Sequence, residues 1–362
     1  MRKKHGGNIY QIARHLGIPP ESILDFSASI NPLGFSPRFK KNVSSLDETI
    51  LNYPDLEAHA FINALAAYHK LPRENFAAGN GSTEFIYLLP EIIRPKSVLI
   101  VAPTFTEYEH SYQRAKGLVF YCNTLEKDGF SLQTNNVLDA LKRGYGMVYL
   151  CNPGSPSGAL SSKQAMKEII TAAGKKGTQV ILDETFMDFT EEHSLKHEVT
   201  AYDNLYILRS MTKFFALPGL RIGYVISHGK NIEKIQERQQ PWSINAVAQH
   251  AGTVSLQDTA YIQKTIQYIN EARQELAGEL KRFSCLHVFS SFTNFLLIKL
   301  LDSSPKTTAE LQDALLKKGI LIRTCEDFQG LSDKFFRVAV KKKNENKRLA
   351  AELKKILSGT AS

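Results

Sequence analysis

Short apolar segments alternate with longer segments of helical periodicity through the middle of the chain. Four apolar segments predict strands that are buried on both faces: Ser97–Ala102, Met147–Cys151, Gln179–Asp183 and 205–209. Between the second and the third, residues 161–175 have a helical pattern in which Ser161 and Gln164 stand at capping-box spacing. Repeated strand–helix–strand units of this kind predict an α/β fold with a mostly parallel sheet covered on both faces.

The pattern changes after about residue 255. A long helical segment at 261–282 is followed by predicted strands at 294–299, 320–323 and 336–340 and by predicted helices at 308–317 and 344–357. The stretch before about Tyr53 is rich in Gly, Pro, Ser and Asn, so we expect an arm that joins this second unit. We predict an arm with part of the small domain at 1–45, a large domain at 46–255 and a small α+β domain at 256–362.

Length and charge narrow the class of protein. A chain of 362 residues with 43% hydrophobic content favours two domains. The net charge of +9 is compatible with nucleic acid, a membrane surface or small acidic substrates as partners. The densest basic run, 341–343 with Lys347 and Arg348, is interpreted as a solvated face of the C-terminal helix. Because no nucleic-acid-binding signature accompanies it, we expect neither nucleic acid nor a membrane as partner.

The cysteines and the N-terminal segment indicate a compartment. The four cysteines form no Cys-x-x-Cys pair and have no zinc-site spacing, so we expect reduced thiols and no metal. The N-terminal segment has no apolar signal-peptide core, and no apolar run is long enough to cross a bilayer. We therefore expect a cytoplasmic protein.

A lysine follows the last of the four predicted strands. Ser210 and Lys213 come directly after it, and Arg221 lies farther on in the segment Pro-Gly-Leu-Arg-Ile-Gly. Ligands of open α/β sheets bind outside the carboxyl ends of the strands. A lone lysine is usually a surface residue, but this combination resembles the cofactor-binding segment of the fold-type I enzymes that use pyridoxal 5′-phosphate (PLP).

The resemblance implies the PLP-dependent transferase (aspartate aminotransferase) fold type I. That fold has a large domain with a mostly parallel seven-stranded sheet and a smaller α+β domain. It also implies that Lys213 holds PLP as an imine, which only an amine can form with the aldehyde. Ser210 and Arg221 would bind the cofactor phosphate, for which a guanidinium is well shaped.

Asp183 ends the third strand and matches the family's partner of the pyridinium nitrogen. Alone, an aspartate there would more often cap a turn. Paired with the ring nitrogen, it would keep the ring protonated and able to accept electrons. Many aminotransferases have a tyrosine at the position of Phe186, so this chain lacks that donor to the phenolic oxygen of PLP.

Further segments match cofactor contacts of the family. The Gly-rich turn with Gly81, Ser82 and Thr83 precedes a helical pattern and resembles a second phosphate cradle. Phe105 matches the aromatic residue that stacks on the pyridine ring, although an aromatic after a strand is more often part of the core. Tyr53 matches a tyrosine that reaches the phosphate of the neighbouring subunit, which implies a homodimer.

One motif departs from the family. Ser155, in Asn-Pro-Gly-Ser-Pro-Ser-Gly, stands where the family has an asparagine that contacts the ring and often the substrate. A serine can still donate one hydrogen bond, with a shorter reach.

The terminal segments are similar to those of the threonine-phosphate decarboxylases, which are related to histidinol-phosphate aminotransferases. The start His-Gly-Gly-Asn-Ile and Phe186 favour the decarboxylase group. By position, His5 and Gly6 would touch the substrate. For Arg323 and Arg337, the plainer interpretation is that they form ion pairs at the surface. Under the resemblance, Arg323 would face the acidic groups and Arg337 the α-carboxylate. Ser29 replaces a family asparagine, a second departure.

The charge of the implied substrate supports this interpretation. O-phospho-L-threonine brings a carboxylate and a phosphate of about −1.5 to −2 charge, so its site needs several fixed cations. Binding of the phosphate by His5 and Arg323 would orient the bond to the carboxylate for cleavage. Lys213 would then reprotonate the α-carbon, which gives (R)-1-amino-2-propanol O-2-phosphate, an intermediate of cobalamin biosynthesis.

Three alternatives remain. An aminotransferase acting on histidinol phosphate or a related amino acid would use the same cofactor residues and align the Cα–H bond instead. A PLP-binding regulator would need an added DNA-binding domain. A non-catalytic basic module is disfavoured because Lys213, Asp183 and Arg221 are all present. Fold-level resemblance alone does not separate decarboxylation from transamination.

Overall fold

The computed structural model describes residues 6–42, 47–114 and 117–358, so His5 lies outside the described residues. The helices are α1 (Ile9–Leu16), α2 (Pro37–Asn42), α3 (Asp47–Ile50), α4 (His59–His69), α5 (Ser82–Ile93), α6 (Glu107–Arg114), α7 (Thr134–Leu141), α8 (Lys163–Gly174), α9 (Gly229–Gln236), α10 (Ala246–Leu256), α11 (Thr259–Leu280), α12 (Thr308–Leu316) and α13 (Lys343–Leu357). The strands are β1 (Leu24–Asp25), β2 (Phe76–Gly79), β3 (Ser97–Ala102), β4 (Leu118–Asn123), β5 (Met147–Cys151), β6 (Gln179–Asp183), β7 (Leu205–Ser210), β8 (Gly223–Ser227), β9 (Leu286–Val288), β10 (Phe295–Leu300), β11 (Ile320–Leu321), β12 (Arg323–Thr324) and β13 (Phe335–Ala339).

A seven-stranded sheet forms the centre of the molecule, in the order β2-β8-β7-β6-β5-β3-β4. Strand β8 is antiparallel to both of its neighbours, and the other pairs are parallel. The four predicted strands are confirmed, the last extended by one residue to Ser210. The predicted fold class, an α/β fold with a mostly parallel seven-stranded sheet and a smaller α+β part, is therefore confirmed.

Both faces of this sheet are buried against helices. In β6, Val180 and Leu182 pack into one hydrophobic core and Ile181 into the other. Successive side chains of a strand point to opposite faces, so both faces must be apolar when both are covered. This explains why the strands appear in the sequence as continuous apolar runs.

The C-terminal part contains a four-stranded antiparallel sheet in the order β12-β13-β10-β9. The predicted strand at 320–323 is wrong as a single element: Ile320–Leu321 pairs with β1, and Arg323–Thr324 pairs with β13. The chain changes sheet at Ile322, whose carbonyl accepts a hydrogen bond from Gln312 Nε2 at 3.0 Å. The other predicted elements of this part are present with ends shifted by one or two residues.

The predicted capping box of α8 is also wrong. Ser162 is the N-cap, and its side chain accepts from the backbone N–H of Ala165. The backbone of Ser161 is bound instead by Asn152, whose Oδ1 accepts from Ser161 N at 2.8 Å and whose Nδ2 donates to Ser161 O at 3.2 Å. Because Asn152, in the loop after β5, binds the backbone of Ser161, the helix begins one residue later than predicted.

The basic run near α13 is mostly solvated. Lys342, Lys343, Lys347 and Arg348 are exposed, as predicted. Lys341 is an exception because it is half-buried, and this burial lowers the pKa of its amine. Among the described residues, no helix is long and apolar enough to cross a bilayer. The cytoplasmic location and the domain boundaries stay predictions.

The N-terminal segment connects the two parts of the molecule. Strand β1 runs parallel to β11, and Asn31 is buried against the loop after β7. The backbone N–H of Asn31 donates to Lys213 O at 3.0 Å, and its side chain donates to Phe214 O at 2.9 Å. The segment thus fixes the backbone of the candidate lysine.

A buried ion network lies behind the carboxyl ends of β6 and β7. Arg209 is fully buried, and its Nε donates to Glu184 Oε2 at 3.0 Å. Its Nη1 donates to Glu191 Oε2 at 2.7 Å and lies 3.4 Å from Asp188 Oδ1. Removing one partner of a buried ion pair leaves an uncompensated buried charge, which is strongly destabilising.

We expect Arg209→Met to lower the free energy of unfolding by about 3–5 kcal/mol, because the carboxylates of Glu184, Asp188 and Glu191 lose their shared cation. Urea denaturation followed by circular dichroism measures this change. The matched control is Lys142→Met, which breaks an exposed pair with Asp139 and should change stability little. Equal effects of the two substitutions would contradict the role given to the network.

Candidate active site

A cavity of about 260 Å³ opens at the carboxyl ends of β5, β6 and β7, between the large sheet and the C-terminal part. Most of the predicted site residues line it: Gly6, Ser82, Thr83, Phe105, Ser155, Asp183, Ser210, Lys213, Arg221, Arg323 and Arg337. These residues come from distant parts of the chain, so the fold brings them together as the resemblance implies.

Three predicted residues do not line the cavity. Gly81 lies just outside it, at the N-cap of α5. Ser29 is buried, and its carbonyl accepts a hydrogen bond from Asn294 Nδ2 at 2.9 Å. Tyr53 is 83% exposed, and its ring packs on Trp242 with centroids 4.9 Å apart. Their predicted roles stay predictions, as does that of His5.

One end of the cavity is suited to a phosphate. The start of α5 leaves backbone N–H groups without helical acceptors, which favours an anion. Gly81 has φ 77°, and a Cβ there would lie 2.6 Å from Arg221 Nη2, so only glycine lets the guanidinium approach. Arg221 itself has φ 53°, a conformation that is uncommon for residues other than glycine and typical of functional sites.

Lys213 lies in the middle of the cavity wall. Among the described residues, none accepts a hydrogen bond or forms an ion pair with its amine. The loss of surrounding water and the positive charges of Arg337 and Arg221 lower the pKa of Lys213 to about 8. At neutral pH most of the amine is still protonated, but its neutral fraction is far larger than that of an ordinary lysine, which favours its action as a nucleophile.

The carboxylate of Asp183 is held by two donors. The backbone N–H of Thr185 donates to Oδ1 at 2.8 Å, and the hydroxyl of Tyr108 donates to Oδ2 at 2.5 Å. Burial raises the pKa of Asp183, and these hydrogen bonds act in the opposite direction. Sequence reasoning missed Tyr108, because a tyrosine three residues after Phe105 is typical of a core position and nothing local indicates its distant partner.

Arg337 also lines the cavity. Its Nη1 donates to Ser155 Oγ and its Nη2 to Ser27 O, both at 3.2 Å. The guanidinium lies 4.8 Å from the centroid of the Phe295 ring, and its Nε is buried without a hydrogen-bond partner among the described residues. Burial lowers the pKa of Arg337 to about 10. A buried, incompletely bonded guanidinium is suited to an anionic ligand.

Arg323 is already paired. Its Nη2 donates to both carboxylate oxygens of Asp327, at 2.9 and 2.7 Å, and its Nη1 donates to Thr324 O at 2.6 Å. The guanidinium also lies 5.0 Å from the centroid of Phe328. Sequence reasoning missed Asp327, so the positive charge that Arg323 offers to a ligand is smaller than we expected.

The N-terminal segment closes one side of the cavity. Asp25 Oδ1 accepts from the hydroxyl and the backbone N–H of Ser27, at 2.6 and 2.7 Å. The Ser27 hydroxyl in turn accepts from Gly7 N at 2.8 Å. A Cβ at Gly6 would lie 2.3 Å from Ser27 O, so this contact leaves no room for a side chain. Neither Asp25 nor Ser27 was predicted.

The residues of the cavity fit PLP. The α5 start and Arg221 suit its phosphate, the buried carboxylate of Asp183 suits its ring nitrogen, and Lys213 suits its aldehyde. Phe105 lines the same space and can cover a ring face. Phe186 lines it without offering a hydroxyl.

Comparison with known proteins gives a consistent result. Residues 21–353 match the family model described as aminotransferase class I and II. The chain is 36% identical over 360 residues to the threonine-phosphate decarboxylase of Salmonella typhimurium. The aligned residues cover 99% of this chain and 97% of that protein.

Two further proteins are similar over most of the chain. The adenosylcobalamin biosynthesis bifunctional protein CobDQ of Leptospira interrogans is 32% identical over 99% of this chain, which spans 41% of that longer protein. The crystal structure of the histidinol-phosphate aminotransferase from Clostridium acetobutylicum is 32% identical, with a TM-score of 0.86 over 92% of this chain and 99% of that one.

We expect the rate at which PLP combines with the cofactor-free protein to rise with pH and to level off above about pH 8. Only the neutral amine of Lys213 attacks an aldehyde, and its pKa is about 8. Arg337→Gln removes a neighbouring positive charge, so the pKa of Lys213 should rise and the midpoint should move to higher pH. Stopped-flow absorbance measures both profiles.

The control is Arg348→Gln, which changes an exposed arginine and should leave the midpoint in place. A midpoint that is the same in all three proteins would show that Arg337 does not act on the amine.

Proposed function

The chain belongs to the class I and II aminotransferase family, and we propose that within it the chain decarboxylates O-phospho-L-threonine to (R)-1-amino-2-propanol O-2-phosphate for cobalamin biosynthesis. The observation that carries this proposal is the incompletely bonded guanidinium of Arg337, close enough to lower the pKa of Lys213. The sequence similarity to the threonine-phosphate decarboxylase of Salmonella typhimurium, 36% identity over 99% of this chain, supports the proposal.

PLP is the proposed cofactor. Lys213 would hold its aldehyde carbon, Asp183 its ring nitrogen and Phe105 one ring face, while Arg221, Ser210 and the start of α5, with Ser82 and Thr83, would bind its phosphate. When bound, PLP supplies a conjugated ring that accepts the electron pair left as the carboxylate departs as CO₂.

The cations of the cavity orient the substrate. Arg337 would bind the carboxylate end. Arg323 would bind the phosphate with a guanidinium that also stays paired with Asp327. Two fixed anchors at the two anionic ends decide which bond at the α-carbon is held for cleavage. Gly6 and Ser27 cover the same space and limit the access of water.

A proton must return to the α-carbon after CO₂ is lost. Lys213 is the proposed donor, because its pKa of about 8 leaves it substantially protonated at neutral pH. The reaction consumes this one proton and releases CO₂, so no oxidant, reductant or second substrate is needed.

The second candidate is an aminotransferase acting on histidinol phosphate or a related amino acid. The similarity to the histidinol-phosphate aminotransferase from Clostridium acetobutylicum supports it. Both candidates need the same cofactor residues, and they differ in whether the carboxylate or a hydrogen leaves the α-carbon.

We also propose that the protein is a homodimer in which Tyr53 serves the partner's site. Tyr53 does not line the cavity of its own chain, and the apolar side chains near it in sequence are exposed, among them Ile50, Leu51 and Leu56. Trp242, which contacts Tyr53, is also 48% exposed. A cluster of exposed apolar residues marks an interaction surface.

The purified protein loaded with PLP should release CO₂ from O-phospho-L-threonine, and Lys213→Ala should abolish this release because, among the described residues, no other amine lines the cavity. Release of ¹⁴CO₂ from carboxyl-labelled substrate is the measurement. If the protein instead forms a keto acid and transfers the amino group to 2-oxoglutarate, the aminotransferase is the correct function.

A mixed dimer tests the role of Tyr53. We expect Tyr53→Phe alone to weaken PLP binding roughly tenfold, the loss of a hydrogen bond to a charged group. A dimer of one Lys213→Ala chain and one Tyr53→Phe chain should then have half of the normal activity at limiting PLP, because one site keeps both residues. If Tyr53 serves its own chain, this mixed dimer contains no intact site and its activity stays low.

A further inference from the structure

Tyr108 lies in α6 and is fully buried, yet its hydroxyl is directed at the carboxylate of Asp183. The distance from Tyr108 Oη to Asp183 Oδ2 is 2.5 Å. A short hydrogen bond to a buried carboxylate is stronger than one between neutral groups. The pair joins two residues that are far apart in the chain, so the fold has to place it.

The ring of Tyr108 is fixed by its neighbours. It stacks on Tyr149 with centroids 4.6 Å apart and an interplanar angle of 2°, and the edge of Phe105 lies against it. The Ser111 hydroxyl donates to Tyr108 O at 2.9 Å, and Tyr108 N donates to Phe105 O at 3.4 Å. Phe105, just before α6, and Tyr108, in the first turn of α6, are therefore joined through the backbone, and the hydroxyl has little freedom to turn away.

The surroundings of Asp183 make this hydrogen bond important. Burial disfavours the carboxylate, and the nearby cations are Arg209, behind the strand, and Lys213, in the cavity. Cys151 and Tyr149 also lie close, but burial raises the pKa of both groups, so they are neutral. The side chain and the backbone N–H of Thr185 favour the ionised form of Asp183, and the hydroxyl of Tyr108 adds a further side-chain hydrogen bond in the same direction.

We propose that Tyr108 is a positioning residue: its hydroxyl keeps Asp183 ionised and holds one carboxylate oxygen, so that the carboxylate is fixed for the ring nitrogen of PLP. This inference rests on the proposed function, in which Asp183 binds that nitrogen. Tyr108 acts through Asp183: without the Tyr108 hydroxyl, the carboxylate would be easier to protonate and to rotate.

The test compares Tyr108→Phe with Tyr149→Phe. Both tyrosines are fully buried and belong to one stacked pair, but the Tyr149 hydroxyl donates to Ile86 O at 3.2 Å and not to Asp183. The dissociation constant of PLP is measured for each protein from about pH 5 to about pH 8, which covers the upper part of the ordinary titration range of carboxyl groups. Thermal unfolding of the same samples shows whether both proteins are folded.

We expect Tyr108→Phe to bind PLP roughly tenfold more weakly at neutral pH, the loss typical of a hydrogen bond to a charged group. On acidification its binding should fail at a higher pH than in the unsubstituted protein, because Asp183 without this donor is protonated more easily. Tyr149→Phe should match the unsubstituted protein in both respects. Identical pH profiles for the two variants would overturn the proposal.

A double-mutant cycle separates this inference from the proposed function. In an Asp183→Asn background, Tyr108→Phe should cause no further loss of PLP affinity, since the tyrosine acts through the carboxylate. Full additivity of the two losses would also overturn the inference. If Asp183→Asn itself leaves PLP affinity unchanged, it is the proposed role of Asp183 that is wrong.

Discussion

The buried ion pair between Arg209 and Glu184 is the constraint on which the candidate site depends. Each residue is next in sequence to one that lines the cavity, Ser210 and Asp183 respectively. Because neighbouring side chains along a strand point in opposite directions, the pair anchors the back of the strand ends whose front carries the chemistry. Burying these charges costs desolvation free energy, which is offset only when all the partners of the Arg209 guanidinium are in place. The network therefore also fixes where the two strands end.

The front of the same strand ends holds charges that repel one another. Lys213, Arg221 and Arg337 line one space, and burial together with the positive charges of Arg337 and Arg221 lowers the pKa of Lys213. A ligand that brings anionic groups removes this repulsion, so it gains binding free energy from a strain that the protein already carries. Asp327 moderates the effect at Arg323, which gives that side of the cavity a milder attraction for anions.

Much of the architecture could be predicted because its determinants are local. Continuous apolar runs gave the central strands, and the residues that follow them, such as Asp183 and Lys213, had to meet at one edge of the sheet. The misses have a common physical cause: Tyr108, Asp25 and the Asn152–Ser161 contact act through hydrogen bonds or loops whose partner is not indicated by periodicity or composition. Family resemblance named the cofactor residues, but not the side chains that hold them.

The pairing of β1 with β11 has a consequence for how the chain is made. Leu24 aligns with Ile320, so the wall formed by Gly6 and Ser27 must wait for nearly the whole polypeptide to leave the ribosome. The central sheet needs only residues up to Ser227 and can assemble earlier. A segment that precedes the central sheet in the chain is thus placed after it, because contacts between distant parts of a chain form slowly. Until then the cavity lacks the wall that Gly6 and Ser27 form.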